Sequence, residues 1–163
     1  MAPAARPSAA WRLVFALSLL LGAALPASAQ TVATYHGHAD RSGNFVMPQF
    51  TWARARTLHL DTGFAPRFTG HLYAQPLYWR PAGSTSGVLI VASESNVVAA
   101  IDSRSGATLW SRSLGPPAPL STFPCGNIDP LGVTGTPVID PASGTLYLDA
   151  MVLDGGRPHQ FRQ

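Results

Sequence analysis

The chain has 163 residues, of which 46% are hydrophobic and 12% are charged, and its length is enough for one ordinary domain. Its formal net charge is +3, and all eleven Lys-plus-Arg positions are arginines, scattered along the chain without a run. The small excess of basic residues therefore does not indicate a nucleic-acid-binding surface.

The first residues have the pattern of an export signal. Arg6 and Arg12 form a cationic start, an apolar run of 13 residues follows from Leu13 to Leu25, and Ala27–Ala29 has the small residues that signal peptidases cut. Thirteen helical residues span about 20 Å, less than the roughly 30 Å hydrocarbon layer, which favours a cleaved signal peptide over a membrane anchor. We predict a signal peptide over residues 1–29 and export to the periplasm or the exterior, with no membrane anchor after cleavage.

Residues 30–70 are predicted to form a polar, irregular opening segment, because no periodicity is sustained there. His36, His38 and Asp40 would share one face if this stretch were a strand, and this spacing raises the question of a metal site. Three ligand types without a fourth, in a polar stretch, are more typical of a solvated segment. We therefore predict no metal site.

From residue 71 onward the pattern is typical of β-strands. Val88–Ser93 and Val97–Asp102 are apolar runs rich in β-branched residues, and Ala107–Leu114 follows them, with "ESN" and "SRSG" as the connecting turns. Three strands joined by two tight turns predict an antiparallel meander. Within His71–Trp79, Pro76 argues against a central, fully paired strand.

The strand pattern resumes at Thr134 with "TGTPVID", the turn "PASG" and "TLYLDAMVLD". Pro76 aligns with Pro137, 61 residues later, and Gly87 aligns with Gly144, 57 residues later. Repeated all-β units at this spacing predict a β-propeller. Coincidence between two β-rich segments is the alternative, since two copies are the minimum for a repeat.

Four residues in the first copy carry a more specific pattern. Ala100, Asp102, Gly106 and Trp110 match A-x-D-x-x-x-G-x-x-x-W, which resembles the signature of quinoprotein-type (PQQ-like) β-propeller repeats. The resemblance implies a structural role: Ala100 packs in the strand, Asp102 and Gly106 build the turn, and Trp110 docks against a neighbouring blade. The residue types suit these roles, because Asp accepts turn N–H groups, Gly adopts positive φ, and Trp brings a large apolar surface.

The resemblance covers about Tyr35 to Phe161. "YHGHADRSG" is similar to the Y-H-x-D-x-x-R-x-G segment of exported members, with its Asp one residue late at Asp40, and "YAQPLY" and "CGNIDPLGVTGTPVID" are similar to segments that open successive blades. It implies an all-β fold: a partial β-propeller of antiparallel four-stranded blades, with about two repeats in residues 71–163. Complete propellers have about four to eight blades. We therefore expect a truncated or partial chain, whose partners are the missing propeller blades or another protein.

Two classes of function stay open. The first is an exported binding or scaffold module with no catalytic site evident in this chain. The second is the N-terminal fragment of a PQQ-dependent (quinoprotein) dehydrogenase, an oxidoreductase. No cofactor is evident from the residues themselves, and PQQ with calcium follows only from the family resemblance, so no catalytic or cofactor-binding residue is assigned.

Three further residues are of types that can carry chemistry. Glu94 and Asn96 are of the types that reach the cofactor in quinoprotein dehydrogenases, but their place in a turn explains their polarity more simply. Cys125 is the single cysteine and has no histidine at a suggestive spacing, so a structural or unpaired thiol is favoured over a nucleophile. We expect its disulfide partner, if any, to lie outside this chain.

Overall fold

A computed structural model describes residues 31–162 of the chain. The predicted signal peptide over residues 1–29 lies outside the described residues. The described part is an all-β fold of antiparallel sheets, as predicted, with three helical segments of three or four residues.

The first sheet is a four-stranded antiparallel meander in chain order. Its strands are β1 Leu77–Trp79, β2 Val88–Ala92, β3 Val97–Asp102 and β4 Thr108–Ser113. The meander predicted from the three apolar runs is confirmed, and the short strand β1 begins directly after Pro76 and lies at the sheet edge, where the proline ring breaks no ladder hydrogen bond. A bulge at Ala100 and Ile101 shifts the pairing of β3 with β4.

The second unit, residues 138–162, contains two hairpins. Its strands are β5 Val138–Asp140, β6 Thr145–Tyr147, β7 Asp149–Asp154 and β8 Arg157–Arg162, paired as β5–β6 and β7–β8. One continuous strand was predicted from Thr145 to Asp154, and this is wrong at Leu148, which separates β6 from β7. The strand predicted from Thr134 is reduced to three residues after Pro137, which has no N–H to donate to a ladder.

Both faces of the first sheet are covered over β2 and β3, whereas every residue of β4 is exposed. One face packs against the second unit and forms the larger core, which consists of Leu77, Ile90, Ala92, Val98, Ala100, Val133, Ile139 and Ala150. On the other face, Val91, Ala99 and Ile101 pack against Phe64 and Leu72 from the segment before β1. The continuous apolar runs of β2 and β3 follow from this, because alternating side chains are buried on opposite sides.

The segment before β1 is irregular from residue 31 onward, apart from a 3-10 turn at Tyr35–Gly37 and the one-turn helix α1 at Trp52–Ala55. Val32 exchanges two backbone hydrogen bonds with Tyr78 of β1 (2.7 and 3.0 Å), and the carbonyl of Ala33 accepts from the N–H of Ile139 in β5 (2.8 Å). These adjacent residues therefore contact both the first sheet and the second unit.

Candidate functional site

The turn between β3 and β4 is built around the carboxylate of Asp102. Its Oδ1 accepts from the N–H groups of Arg104 (3.1 Å) and Ser105 (2.8 Å) and from the Ser105 hydroxyl (2.8 Å), while the Ser86 hydroxyl donates to Oδ2 (2.5 Å). Gly106 closes the turn at φ 73°, in the left-handed region that favours glycine. The Ser86 and Ser105 hydrogen bonds hold the pKa of Asp102 well below its ordinary value, since they stabilise the ionised form.

The turn between β5 and β6 has the same construction. The Asp140 carboxylate accepts from the Ala142 N–H (3.0 Å) and the Ser143 hydroxyl (2.6 Å), and Gly144 closes the turn at φ 68°. The hydrogen bond from Ser143 lowers the pKa of Asp140. The turn predicted at "PASG" is confirmed, whereas its likeness to the Asp102 turn was missed, although "DSRSG" and "DPASG" share Asp, Ser and Gly at the same spacing.

Trp110 lies on the face of the first sheet that packs against the second unit. It is the cross-strand partner of Ala100, which belongs to the larger core. With Ile139, Gly144 and Leu146 of the second unit, it lines a cavity of about 150 Å³ between the two layers. It is 43% exposed, so it contacts the neighbouring β layer at the margin, and the burial expected from the family resemblance is incomplete.

The turn between β2 and β3 is polar and buried. Glu94 is 1% exposed and Asn96 is fully buried. Glu94 Oε2 accepts from the Gly132 N–H (2.6 Å), and Asn96 Nδ2 donates to the carbonyl of Met151 (2.8 Å). The interpretation of Glu94 and Asn96 as ordinary polar turn residues is therefore incomplete, because distant parts of the chain fold over the turn.

Two oxygen atoms in this buried turn have no hydrogen-bond partner among the described residues. They are Glu94 Oε1 and Asn96 Oδ1, and both are acceptors. Leaving a buried polar atom unsatisfied costs free energy, so each such atom in a native protein calls for a partner or a role. The turn could therefore receive a hydrogen-bond donor or a cation.

Gly132 is held tightly against this turn. A Cβ at position 132 would lie 2.3 Å from the carbonyl oxygen of Glu94 and 2.7 Å from Asn96 Oδ1. Glycine is required there by the close approach of two backbone segments. No local sequence signal marks this contact, because Gly132 and Glu94 are 38 residues apart.

His36, His38 and Asp40 are not brought together as ligands. The segment is not a strand: His36 lies in the 3-10 turn at φ 59°, and its Nδ1 contacts the carbonyl of Arg41 (2.8 Å). Asp40 accepts from the N–H of Ser42 (3.1 Å), and this hydrogen bond lowers the pKa of Asp40. Over residues 31–162 there is no cluster of three His, Cys, Asp or Glu side chains suited to a metal ion.

Cys125 lies exposed in the proline-rich loop between β4 and β5, and its thiol is free. Its loop contains the 3-10 turn Leu120–Thr122, and Asp129 accepts from the Leu120 N–H (2.9 Å). These contacts organise the loop without engaging the thiol.

A groove of about 660 Å³ lies between the N-terminal segment and the first sheet. Its walls are mostly apolar, and the polar residues Asp61, Ser103 and Arg104 also line it. The apolar lining consists of Val32, Phe45, Met47, Leu60, Phe64, Tyr78 and Leu89. Among residues 31–162, no helix has the length and apolar character needed to cross a membrane.

Comparison of the chain with protein-family models, with curated proteins and with solved structures gives no match. The features that bear on function are therefore those of the molecule itself: the stacked β layers, the buried Glu94 turn and the exposed apolar surfaces.

Proposed function

We propose that the chain is part of an exported PQQ-like β-propeller repeat protein and acts as a binding or scaffold module without a catalytic centre of its own. The observation that carries this proposal is the face-to-face packing of a four-stranded meander on a second antiparallel β unit. Stacked antiparallel units that share a core between their faces are the building principle of propellers.

The two Asp turns support the proposal. Each one closes with a glycine in the left-handed region, and each one ties its Asp carboxylate to a serine hydroxyl three residues later. Gly144 of the second turn and Trp110 line the same interlayer cavity. The repeated turn and the aromatic side chain thus meet where the two layers pack, as expected for a repeat whose function is to stack.

The outward side of the second unit offers a surface for a further layer. Val138 and Tyr147 are cross-strand partners and are 44% and 53% exposed, whereas their neighbours Ile139 and Leu146 face the first sheet. Beside them, Arg162 and Asp149 form an ion pair (3.2 Å). Apolar pairs on a sheet face gain stability when another layer covers them.

The test is self-association of the exported chain, measured by sedimentation velocity over a concentration series. If the outward face stacks on other β layers, the wild type associates at high concentration, and Val138→Asp with Tyr147→Asp restores a monomer. The matched control, Tyr73→Asp, changes a tyrosine that is 58% exposed outside the second unit and leaves association unchanged. A wild type that stays monomeric, or variants that associate equally, would count against the proposal.

The second candidate function is the N-terminal part of a quinoprotein dehydrogenase. It is favoured by the buried, unpartnered oxygens of Glu94 and Asn96, since oxygen ligands are those that calcium prefers. Two side-chain oxygens fall short of the about six to eight that calcium takes, so the described residues do not form such a site alone. Dye-linked oxidation of alcohols or sugars after addition of PQQ and calcium, lost in Glu94→Gln, would support this candidate over the scaffold.

A further inference from the structure

Large hydrophobic side chains are exposed along one short segment, residues 45–60. Of the fifteen exposed large hydrophobic residues in the described part of the chain, seven lie in this segment. They are Phe45, Val46, Met47, Phe50, Trp52, Leu58 and Leu60. Single exposed apolar residues are normal, but a concentration of this kind marks an interaction surface.

These side chains lie outside the hydrophobic core, although Phe45, Met47 and Leu60 line the groove beside the first sheet. Neither core cluster of the described residues includes a member of the 45–60 segment. The helix α1 is a single turn, capped by the Thr51 hydroxyl that accepts from the Arg54 N–H (3.3 Å), and it leaves Trp52 85% exposed. Leu60 is exposed to the same extent. The segment is therefore organised without burying its largest apolar groups.

The segment carries positive charges and no negative ones. Arg54 and Arg56 are exposed, and no Asp or Glu occurs between Arg41 and Leu60. Within residues 31–162 the ion pair found is Arg162–Asp149, so both arginines are available to an external anion. Exposed Trp, Phe and Leu side chains beside arginines are the combination that binds at the interface of anionic lipid bilayers.

We propose that the 45–60 segment docks the protein on an anionic lipid surface. Trp52 and the apolar side chains insert at the level of the headgroups, and Arg54 and Arg56 contact lipid phosphates. A lipid surface suits this segment because its exposed apolar side chains lie beside two exposed arginines, and residues 41–60 contain no acidic side chain. This docking does not depend on the stacking proposed for the second unit.

The test is binding of the exported chain to phosphatidylcholine vesicles with and without phosphatidylglycerol, measured by vesicle sedimentation at low and high salt. We expect the partition coefficient to be at least about tenfold higher with the anionic lipid, and high salt to remove most of the difference. Trp52→Ser with Leu60→Ser should lower binding to anionic vesicles by about tenfold or more. Arg54→Gln with Arg56→Gln should lower it comparably on anionic vesicles and should have little effect on neutral ones.

The control removes one exposed aromatic side chain and one arginine outside the segment. Tyr73→Ser with Arg157→Gln changes an exposed aromatic residue and an exposed arginine outside the segment, and binding should equal that of the wild type. Binding to vesicles by other parts of the chain affects all variants alike, so the differences between variants report on the 45–60 segment. The proposal is wrong if the wild type does not bind anionic vesicles, or if both segment variants bind like the control. In either case a protein partner would be the better occupant of this surface.

Discussion

Trp110 of β4 lies directly across from Ala100 of β3, on the sheet face that Ile139 and Leu146 of the second unit cover. Two residues of the sequence signature are thus cross-strand partners. The small Ala100 side chain lies inside the core, and the large Trp110 side chain lies at the margin of the contact between the first sheet and the second unit.

Replacing Trp110 with Ala should destabilise the chain by about 1–2 kcal/mol, less than the roughly 3–5 kcal/mol typical of a fully buried tryptophan, because the side chain is 43% exposed. The free energy of unfolding in urea measures this. Trp52→Ala is the control, since Trp52 is 85% exposed, and it should change stability by less than about 0.5 kcal/mol. Equal effects of the two substitutions would refute the interlayer contact of Trp110.

Removing the Ser86 hydroxyl should raise the pKa of Asp102 toward its ordinary value, because that hydroxyl makes the largest contribution to the lowered pKa. The pKa of Asp102 in the wild type and in Ser86→Ala can be followed by NMR titration. Ser113→Ala is the control, because the Ser113 hydroxyl accepts from the Gly115 N–H and makes no hydrogen bond to Asp102 or Ser86. An Asp102 pKa that is the same in both variants would contradict the geometry of this turn.

The same hydrogen bonds predict a direction for the dependence of stability on pH. The pKa of Asp102 is lowered in the folded chain, so its stabilising contribution is present above the unfolded pKa near 3.9 and is lost as pH falls toward the folded value. Asp102→Asn should therefore lose more stability, relative to the wild type, at neutral pH than in acid. Urea midpoints at neutral and acid pH test this, and a difference independent of pH would contradict it.

Gly132→Ala should destabilise the chain by about 3 kcal/mol or more, because the added methyl group would overlap the Glu94 carbonyl and the Asn96 amide. Gly135→Ala is the matched control three residues later, where a Cβ meets nothing within 4 Å. It should be neutral within about 0.5 kcal/mol. Unfolding in urea distinguishes the two, and a Gly132→Ala variant as stable as the control would refute the tight packing around the buried turn.

Glu94→Gln should be at least as stable as the wild type, whereas Glu94→Ala should lose about 1–3 kcal/mol. Glutamine keeps an acceptor for the Gly132 N–H and adds a donor among the unpartnered acceptor oxygens, while alanine leaves that N–H unsatisfied. Thermal unfolding of both variants checks the order. A glutamine variant as unstable as the alanine variant would show that the carboxylate charge itself stabilises the turn.

The first sheet could be predicted because its central strands are continuous apolar runs bounded by turn residues. Val88–Ser93 and Val97–Asp102 are short and rich in β-branched residues, which favours strands over a helix, and the strands β2 and β3 lie within one residue of these bounds. The break at Leu148 could not be predicted, since Thr145–Asp154 shows no turn residue at that position. Strand breaks of this kind are set by packing between layers and not by local preference.

The buried turn escaped prediction for a different reason. Glu94 and Asn96 have the composition of an exposed hairpin turn, and their burial comes from Gly132 and Met151, which lie 38 and 55 residues away. The second Asp turn was within reach of sequence reasoning. The sequence predicts a turn at "PASG", but the alignment on Pro76 and Pro137 pairs Gly144 with Gly87 and so hides the likeness to the Asp102 turn, which joins a different pair of strands.

The backbone hydrogen bonds of Val32 and Ala33 connect the two β layers at the beginning of the described chain. Val32 is hydrogen-bonded to β1 and Ala33 to β5, within two consecutive residues. Deleting them would leave each layer with its own strands but would release the backbone connection that joins the layers from the amino-terminal side. The amino-terminal segment thereby joins β1 and β5, which are not hydrogen-bonded to each other, into one backbone network.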